Sequence, residues 1–352
     1  MTTKDTVKKI WTECFDDTPQ WIEMFFSEVY RDEDAVTLSH DGLTVSSLML
    51  QRYAMNFHGS VIPAGYICGA ATLPQCREKG YMTRLLHDAL HKCDERGDMI
   101  CTLIPAGEAL FRLYRHAGFS PAFYINFERY TSAHTFSPTK EYTQSRAIDT
   151  DENYALFSDL MMRRPCCVQH DRTRWHQIIM DNSIDGGTPI ILVDSYGNGC
   201  AIAFTVPTDD DSVRITDLLA KDADSRLGAL AVVREIYGNL PIEVYGYFDA
   251  PAGIETPRGS VRIVDVYRLL QLLADAYPEL KANIKVNDGI ITRNSHIYVI
   301  ERGTVLINDG FRGTLDYDID IEVLASIVFG NDVTRRLLGF PATRPFISLM
   351  LD

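Results

Sequence analysis

An α/β (α+β) chain with mixed sheets, built as consecutive strand-and-helix modules, is the fold class this sequence predicts, on three observations. Residues 72–86, TLPQCREKGYMTRLL, read as a strand ending at a proline, a short basic loop, one glycine and an amphipathic helix. Residues 98–105, DMICTLIP, are an apolar run of strand length leading into a second helical pattern. The strand-then-helix order recurs in PIILVDSYGNGCAIAFTV and LGALAVVREIYG.

The elements follow in order. A helix is expected over residues 18–30, carrying Trp21, Phe25 and Phe26 at helical spacing; this set suits a core, and it could also wall a substrate site. Strand patterns follow over 43–51 and 60–73. The next helix rests on Met82, Leu85, Leu86, Ala89, Leu90 and Cys93 on one apolar face, with Gly97 as its stop. After the 98–105 strand, a helix over 107–117 closes at Gly118. The polar stretch 132–145 marks a first boundary, and the Pro- and Gly-rich stretch 251–260 a second. The expected domains are therefore 1–132, 133–255 and 256–352. The middle one carries no phosphate-loop glycine signature and is expected to bind no cofactor. The last combines the helix DVYRLLQLLADAYPEL, the strands SHIYVIERG and GTVLIND, a helix over 321–329, and an apolar end, FISLMLD, expected to tuck against the body.

Composition narrows the function. With 352 residues, 46% of them hydrophobic and 23% charged, the chain can bury a large core. It has no apolar run of membrane-spanning length, and MTTKDTVKKIWTECF lacks a signal-peptide segment, so a cytoplasmic protein is expected. The formal charge of −14 argues against nucleic acid or a membrane surface as partner. It suits a cationic small-molecule amine, although solubility alone accounts for it equally well. Eight cysteines without a C-x-x-C pair fit small hydrophobes better than disulfides.

The 72–86 junction carries the chemistry. A helix start leaves backbone N–H groups unpaired, and with the helix dipole they attract a phosphate-bearing ligand. The candidate binding residues are Leu73, Arg77, Glu78, Lys79, Gly80, Tyr81 and Met82. The order Arg77, two residues, Gly80, one residue, Met82 resembles the acyl-CoA pyrophosphate loop of the GCN5-related N-acetyltransferases, Arg/Gln-x-x-Gly-x-Gly/Ala, with Met82 as its departure. In LYRHAGF, Tyr114 stands four residues before the Gly118–Phe119 pair. That is the place of the tyrosine beside the CoA sulfur in this fold.

Beyond the single domain, the chain resembles the enhanced intracellular survival family of acetyltransferases. The echoes are IPAGYICGAATLPQCREKGYMTRLL, RRPCCVQHDRTRW and VRIVDVYRLLQLL. The resemblance implies tandem GCN5-related acetyltransferase-like domains with mixed central sheets and a small sterol-carrier-protein-like α+β domain. It implies acetyl-CoA as co-substrate, no metal, a multi-amine, aminoglycoside-like acceptor, and a homo-oligomer, a hexamer in relatives. It also implies Tyr114 as general acid and the terminal carboxylate of Asp352 as base or amine anchor. Two other functions stay open at this point: a non-catalytic acyl-CoA or lipid-binding sensor, and a protein-lysine acetyltransferase.

Weaker signals are the His87, His91 and Cys93 spacing, which lacks the further ligands of a metal site, and the Cys166–Cys167 pair, which lacks a nucleophile signature.

Overall fold

The computed structural model describes residues 2–246, 256–330 and 339–351. In the first region the elements are α1 (Thr3–Cys14), α2 (Pro19–Met24), β1 (Ala35–His40), β2 (Leu43–Phe57), β3 (Ser60–Thr72), α3 (Tyr81–Arg96), β4 (Ile100–Leu103), α4 (Glu108–His116) and β5 (Ser120–Tyr130). The second holds β6 (Tyr142–Gln144), α5 (Asp151–Met162), β7 (Val168–Gln169), α6 (Arg172–Ile184), β8 (Thr188–Asp194), β9 (Gly199–Pro207), β10 (Val213–Ala220), α7 (Ala223–Tyr237) and β11 (Ile242–Gly246). The third holds β12 (Thr256–Ile263), α8 (Val266–Ala276), β13 (Ala282–Asn287), β14 (Ile297–Glu301), β15 (Thr304–Ile307), β16 (Tyr317–Asp320) and α9 (Ile321–Phe329).

One 12-stranded mixed sheet runs in the order β1-β2-β3-β4-β12-β5-β11-β10-β9-β8-β6, with β7 pairing β2. Strand β5 joins the halves, since it pairs β12 on one side and β11 on the other. In the first half, α3 and α4 cover one face through Leu85, Leu86, Leu90 and Tyr114. The opposite face is buried under Trp11, Trp21, Phe25 and Phe26 from the N-terminal segment, together with α8 and α9. The second half repeats the scheme, with Phe157 and Trp175 of α5 and α6 on one face and Leu230 and Val233 of α7 on the other.

The mixed α/β class follows directly from the two periodicities, 3.6 and 2, written into the chain. Helix α3 buries the predicted face and stops at left-handed Gly97. The expected 18–30 helix is real, capped by Thr18 and continued beyond α2 by a π-turn over Phe25–Val29. Helix α1 was not anticipated, although a capping box, Thr2 with Asp5, announces it.

Of the stretch 251–260, expected as a boundary, residues 251–255 lie outside the described residues. From Thr256 onward it is not a boundary loop but β12, inserted between β4 and β5. Its Pro257 and Gly259 sit where the pairing register shifts, which is where a strand tolerates such residues. The small sheet of the third region, β15-β14-β13-β16, stands apart. Its helices α8 and α9 and strands β13 and β14 fill one core with the first region, through Leu269, Leu273, Leu324, Ile284 and Tyr298. No described helix is long and apolar enough to cross a membrane.

Candidate active site

Strands β3 and β4 are parallel neighbours, but they pair only from Ala64–Ile67 against Ile100–Leu103. Strand β3 continues to Thr72 while β4 ends and the chain turns towards α4. Beyond Ile67 the two strands no longer pair; the edge of β3 left without a β4 partner, below the 73–80 loop, is here termed the wedge. A β-bulge sharpens the bend: Ser47 faces Ala71 and Met49 faces Cys68, so β3 spends one residue more than β2. Gly69, at φ +57°, is the bulged residue, and a Cβ there would stand 2.0 Å from Cζ3 of Trp11. Only glycine fits both the dihedral and the indole.

Above the wedge, residues 74–76 make a 3₁₀ turn, and Arg77 folds back, its Nε donating to the Thr72 carbonyl at 3.1 Å. Glu78 and Gly80 both adopt left-handed backbone, at φ +62° and +76°. Gly80 caps α3 with no side-chain hydrogen bond, and the first turn carries no acidic residue. The N–H groups of that turn and the dipole behind them thus meet no carboxylate competitor, which suits an anionic ligand. Arg77, Lys79 and Gly80 are exposed, whereas Tyr81 is buried, packing near His40 at 5.2 Å between ring centroids. Tyr81 can offer only its amide. The Met82 side chain packs against the core beneath α3, so its bulk lies away from the loop.

Leu73, a candidate binding residue, has no amide to offer. Its amide already donates to the Val45 carbonyl at 3.0 Å, so it is not available to polarise a ligand carbonyl. Strand alternation turns the Thr72 amide the other way, away from β2 and into the wedge.

Tyr114 lies in the last turns of α4, 7% exposed, with its ring 6.0 Å from that of Phe119. Burial pushes its hydroxyl up to about 12, so it stays protonated throughout the neutral and alkaline range. What holds α4 is the buried Arg262. Its Nε donates to the Ala117 carbonyl at 3.0 Å, and its guanidinium pairs with the equally buried Asp288 at 2.7 Å. A Cβ on Gly118 would lie 2.5 Å from that Nε. Burial alone would raise the Asp288 carboxyl, but Arg262, Asn294 and the Ile291 amide outweigh it and hold it below the usual carboxylate range. Sequence patterns missed this support, because Arg262 and Asp288 lie far from Tyr114 along the chain and carry no local signature.

Phe25 and Phe26 are 0% and 1% exposed, sealed in an aromatic cluster with Trp11. They offer no open wall to a substrate in this conformation. Trp21, 7% exposed, stacks on Phe25 and donates through Nε1 to Asp181 of α6 at 2.7 Å, so it ties the first region to the second. Cys167 is fully buried, and burial pushes its thiol up to about 12, which leaves no thiolate to act as nucleophile. Among the described residues, no three His, Cys, Asp or Glu side chains gather as a metal cage.

Asp352 lies outside the described residues. The chain leading to it is ordered by its neighbours: Phe346 bridges Cys167 in parallel, and Met350 and Leu351 are buried. Strand β7 is antiparallel to β2, with Gln169 opposite Ala54. At Phe346 the tail therefore runs parallel to the chain entering β7 and antiparallel to β2.

Residues 2–122 match the family model described as an acetyltransferase (GNAT) domain. No curated sequence matches the chain. Among solved structures, a protein from Enterococcus faecalis V583 described as a "Probable N-Acyltransferase" superposes with a TM-score of 0.79 at 14% identity, over 98% of this chain and 96% of that one. Eis1 from Mycobacterium abscessus superposes at 0.74 with 16% identity, over 98% and 96%. A GCN5-related N-acetyltransferase from Anabaena variabilis gives 0.75 and 16%, over 98% and 95%. These likenesses establish the fold along nearly the whole chain.

Proposed function

Starting from a chain whose residues 2–122 form a GNAT acetyltransferase domain, and which is therefore an N-acetyltransferase, we propose that it moves an acetyl group from acetyl-CoA to a primary amine of a cationic, multi-amine small molecule of the aminoglycoside kind. Transfer is direct, within a ternary complex. The observation that carries this reading is the wedge between β3 and β4 beneath the uncapped start of α3. One opening offers amides for a diphosphate at its rim and a slot for a thin pantetheine arm below. The thioester, when bound, supplies the activated acetyl carbon.

The residues of the chain divide the remaining work. Arg77 and Lys79 add positive charge at the loop, and the amides of Gly80, Tyr81 and Met82 hold phosphate oxygens. The Thr72 amide polarises the carbonyl in place of Leu73. The incoming amine is a harder problem. With a pKa near 10.4, at most about one molecule in a thousand is neutral at pH 7, which costs about 4–5 kcal/mol. A free α-carboxylate, the group proposed at Asp352, is a weak base in water and a good anchor for an ammonium; burial or a relaying water would strengthen its basicity. Tyr114 completes the set by donating to the departing sulfur. Its elevated pKa, about 12, makes full transfer to a thiolate uphill, so its contribution is a hydrogen bond to developing charge.

Incubating the protein with acetyl-CoA and a panel of polyamines, aminoglycosides and lysine peptides, while following thiol release, tests this function. Release with multi-amine small molecules is the expected result; tight acetyl-CoA binding without release under any amine would overturn it. The rate should rise with pH between about 6 and 9 as the neutral amine accumulates. Tyr114→Phe is expected to lower kcat about 10- to 100-fold with little change in KM for acetyl-CoA. Because the tyrosine titrates only near 12, no alkaline limb below pH 11 should disappear with it. Wild-type kcat in this variant at every pH would remove the acid role.

A further inference from the structure

We propose that Ser46 is a positioning residue for acetyl transfer, the middle member of a hydrogen-bond relay that runs from the Thr72 hydroxyl through Ser46 to the Ala71 carbonyl and so orients the Thr72 amide. The inference rests on the Thr72 amide being the group that polarises the thioester carbonyl. Ser46 of β2 lies opposite Thr72 of β3, and Ser47 opposite Ala71. The Ser46 hydroxyl stands 2.8 Å from the Ala71 carbonyl oxygen and 2.8 Å from Oγ1 of Thr72. A carbonyl only accepts, and a serine hydroxyl carries one proton, so Ser46 donates to Ala71 and Thr72 must donate to Ser46. The direction of the relay is thereby fixed. Its last member is the peptide group between Ala71 and Thr72, where the carbonyl that accepts from Ser46 and the N–H of Thr72 share one plane and point opposite ways. A donor on the oxygen holds that plane and polarises the N–H on its far side.

Three features favour this role over plain packing. Ser46 is 0% and Thr72 9% exposed, in a part of β2 whose neighbouring Leu48 and Leu50 are apolar and fully buried. An apolar pair of the same shape would be nearly as stable, because two buried hydroxyls only exchange their water for each other. The relay also ends on the part of β3 beyond the Gly69 bulge, where β4 no longer pairs. Among the described residues, no strand on that side holds the peptide plane. Finally, the Thr72 carbonyl, which strand alternation aims the same way as its amide, accepts from Arg77 Nε at 3.1 Å and from Cys14 Sγ at 3.6 Å. With that oxygen covered, the N–H is the group left to meet an incoming carbonyl oxygen.

The test compares the full chain, Ser46→Ala and Ser46→Cys, each with acetyl-CoA isotope-labelled at its acetyl carbonyl, by infrared spectroscopy of the bound thioester, calorimetry, thermal melting and thiol release with the amine panel. In the full chain the bound carbonyl stretch is expected below that of free acetyl-CoA, because a hydrogen bond to the oxygen weakens the C=O bond. Ser46→Ala should move it back towards the free value and lower kcat about 5- to 30-fold, less than the roughly 100- to 1,000-fold of losing an oxyanion donor outright. Acetyl-CoA affinity should stay within about twofold. Ser46→Cys, whose S–H is a weaker donor, should lie between, and it decides the matter should the alanine variant not fold. If the full chain shows the lowered stretch and every folded variant keeps it, the relay is wrong while the amide reading stands. If the full chain binds acetyl-CoA with an unshifted stretch, the amide reading falls and takes the relay with it. Loss of melting temperature, affinity and turnover together, with the stretch of the thioester that still binds unmoved, would make the contact merely structural and overturn the proposal.

Discussion

Replacing Arg262 with methionine is expected to destabilise the protein by about 3–5 kcal/mol, measured as a lowered midpoint in urea denaturation. The cause is the group left behind. The Asp288 side chain is 0% exposed, and without the guanidinium the Ile290 and Ile291 amides and Asn294 are left to support its charge. Pairing Arg262→Met with Asp288→Asn should restore part of the loss, because the second change removes the stranded charge. The pH dependence has a definite sign. Asp288 is held below its unfolded value in the native protein, so the pair contributes fully above about pH 4–5 and its contribution disappears as pH falls through the lowered folded pKa. The gap between native and variant stability must therefore narrow on acidification; a gap that widens instead would refute the assignment. Because Arg262 also holds the Ala117 carbonyl, turnover should fall further than acetyl-CoA affinity, through displacement of Tyr114.

Gly69→Ala is the second large effect. The left-handed backbone penalises any Cβ by about 1–2 kcal/mol, and forcing the Trp11 ring aside adds roughly 1–3 kcal/mol of overpacking. The total, about 2–5 kcal/mol, should be visible in urea denaturation. Calorimetry should show weaker acetyl-CoA binding as well, since the bulge bends β3 at the wedge. A Trp11→Leu background vacates the space and is expected to recover the steric part while leaving the dihedral part. Equal losses in both backgrounds would show that the indole does not press on Gly69.

Much of this was readable before any coordinates. Met82 to Cys93 announced α3 through its apolar spacing, and Gly97 its end. The junction at 72–86 announced a strand, a turn and a helix start because these are local features, and the unpaired amides of that start follow from chain geometry alone. Nothing local distinguishes a core aromatic from a substrate wall. Phe25 and Phe26 show why: helical spacing says which face they share and is silent on what packs against it. The turn-rich reading of residues 256–260 met a related limit. Proline and glycine signal a loop in most contexts, but β12 accommodates both at register shifts between strands that are distant in sequence.

Local order thus wrote the periodic elements, the 73–80 loop before α3 and the tyrosine position relative to Gly118. Tertiary structure alone decided which amide is free, since Leu73 spends its own on Val45. It also decided where the wedge opens, what braces α4, and how Phe346 pairs beside β7. Periodicity is a property of neighbouring residues, whereas hydrogen-bond satisfaction and burial depend on partners that only folding brings together.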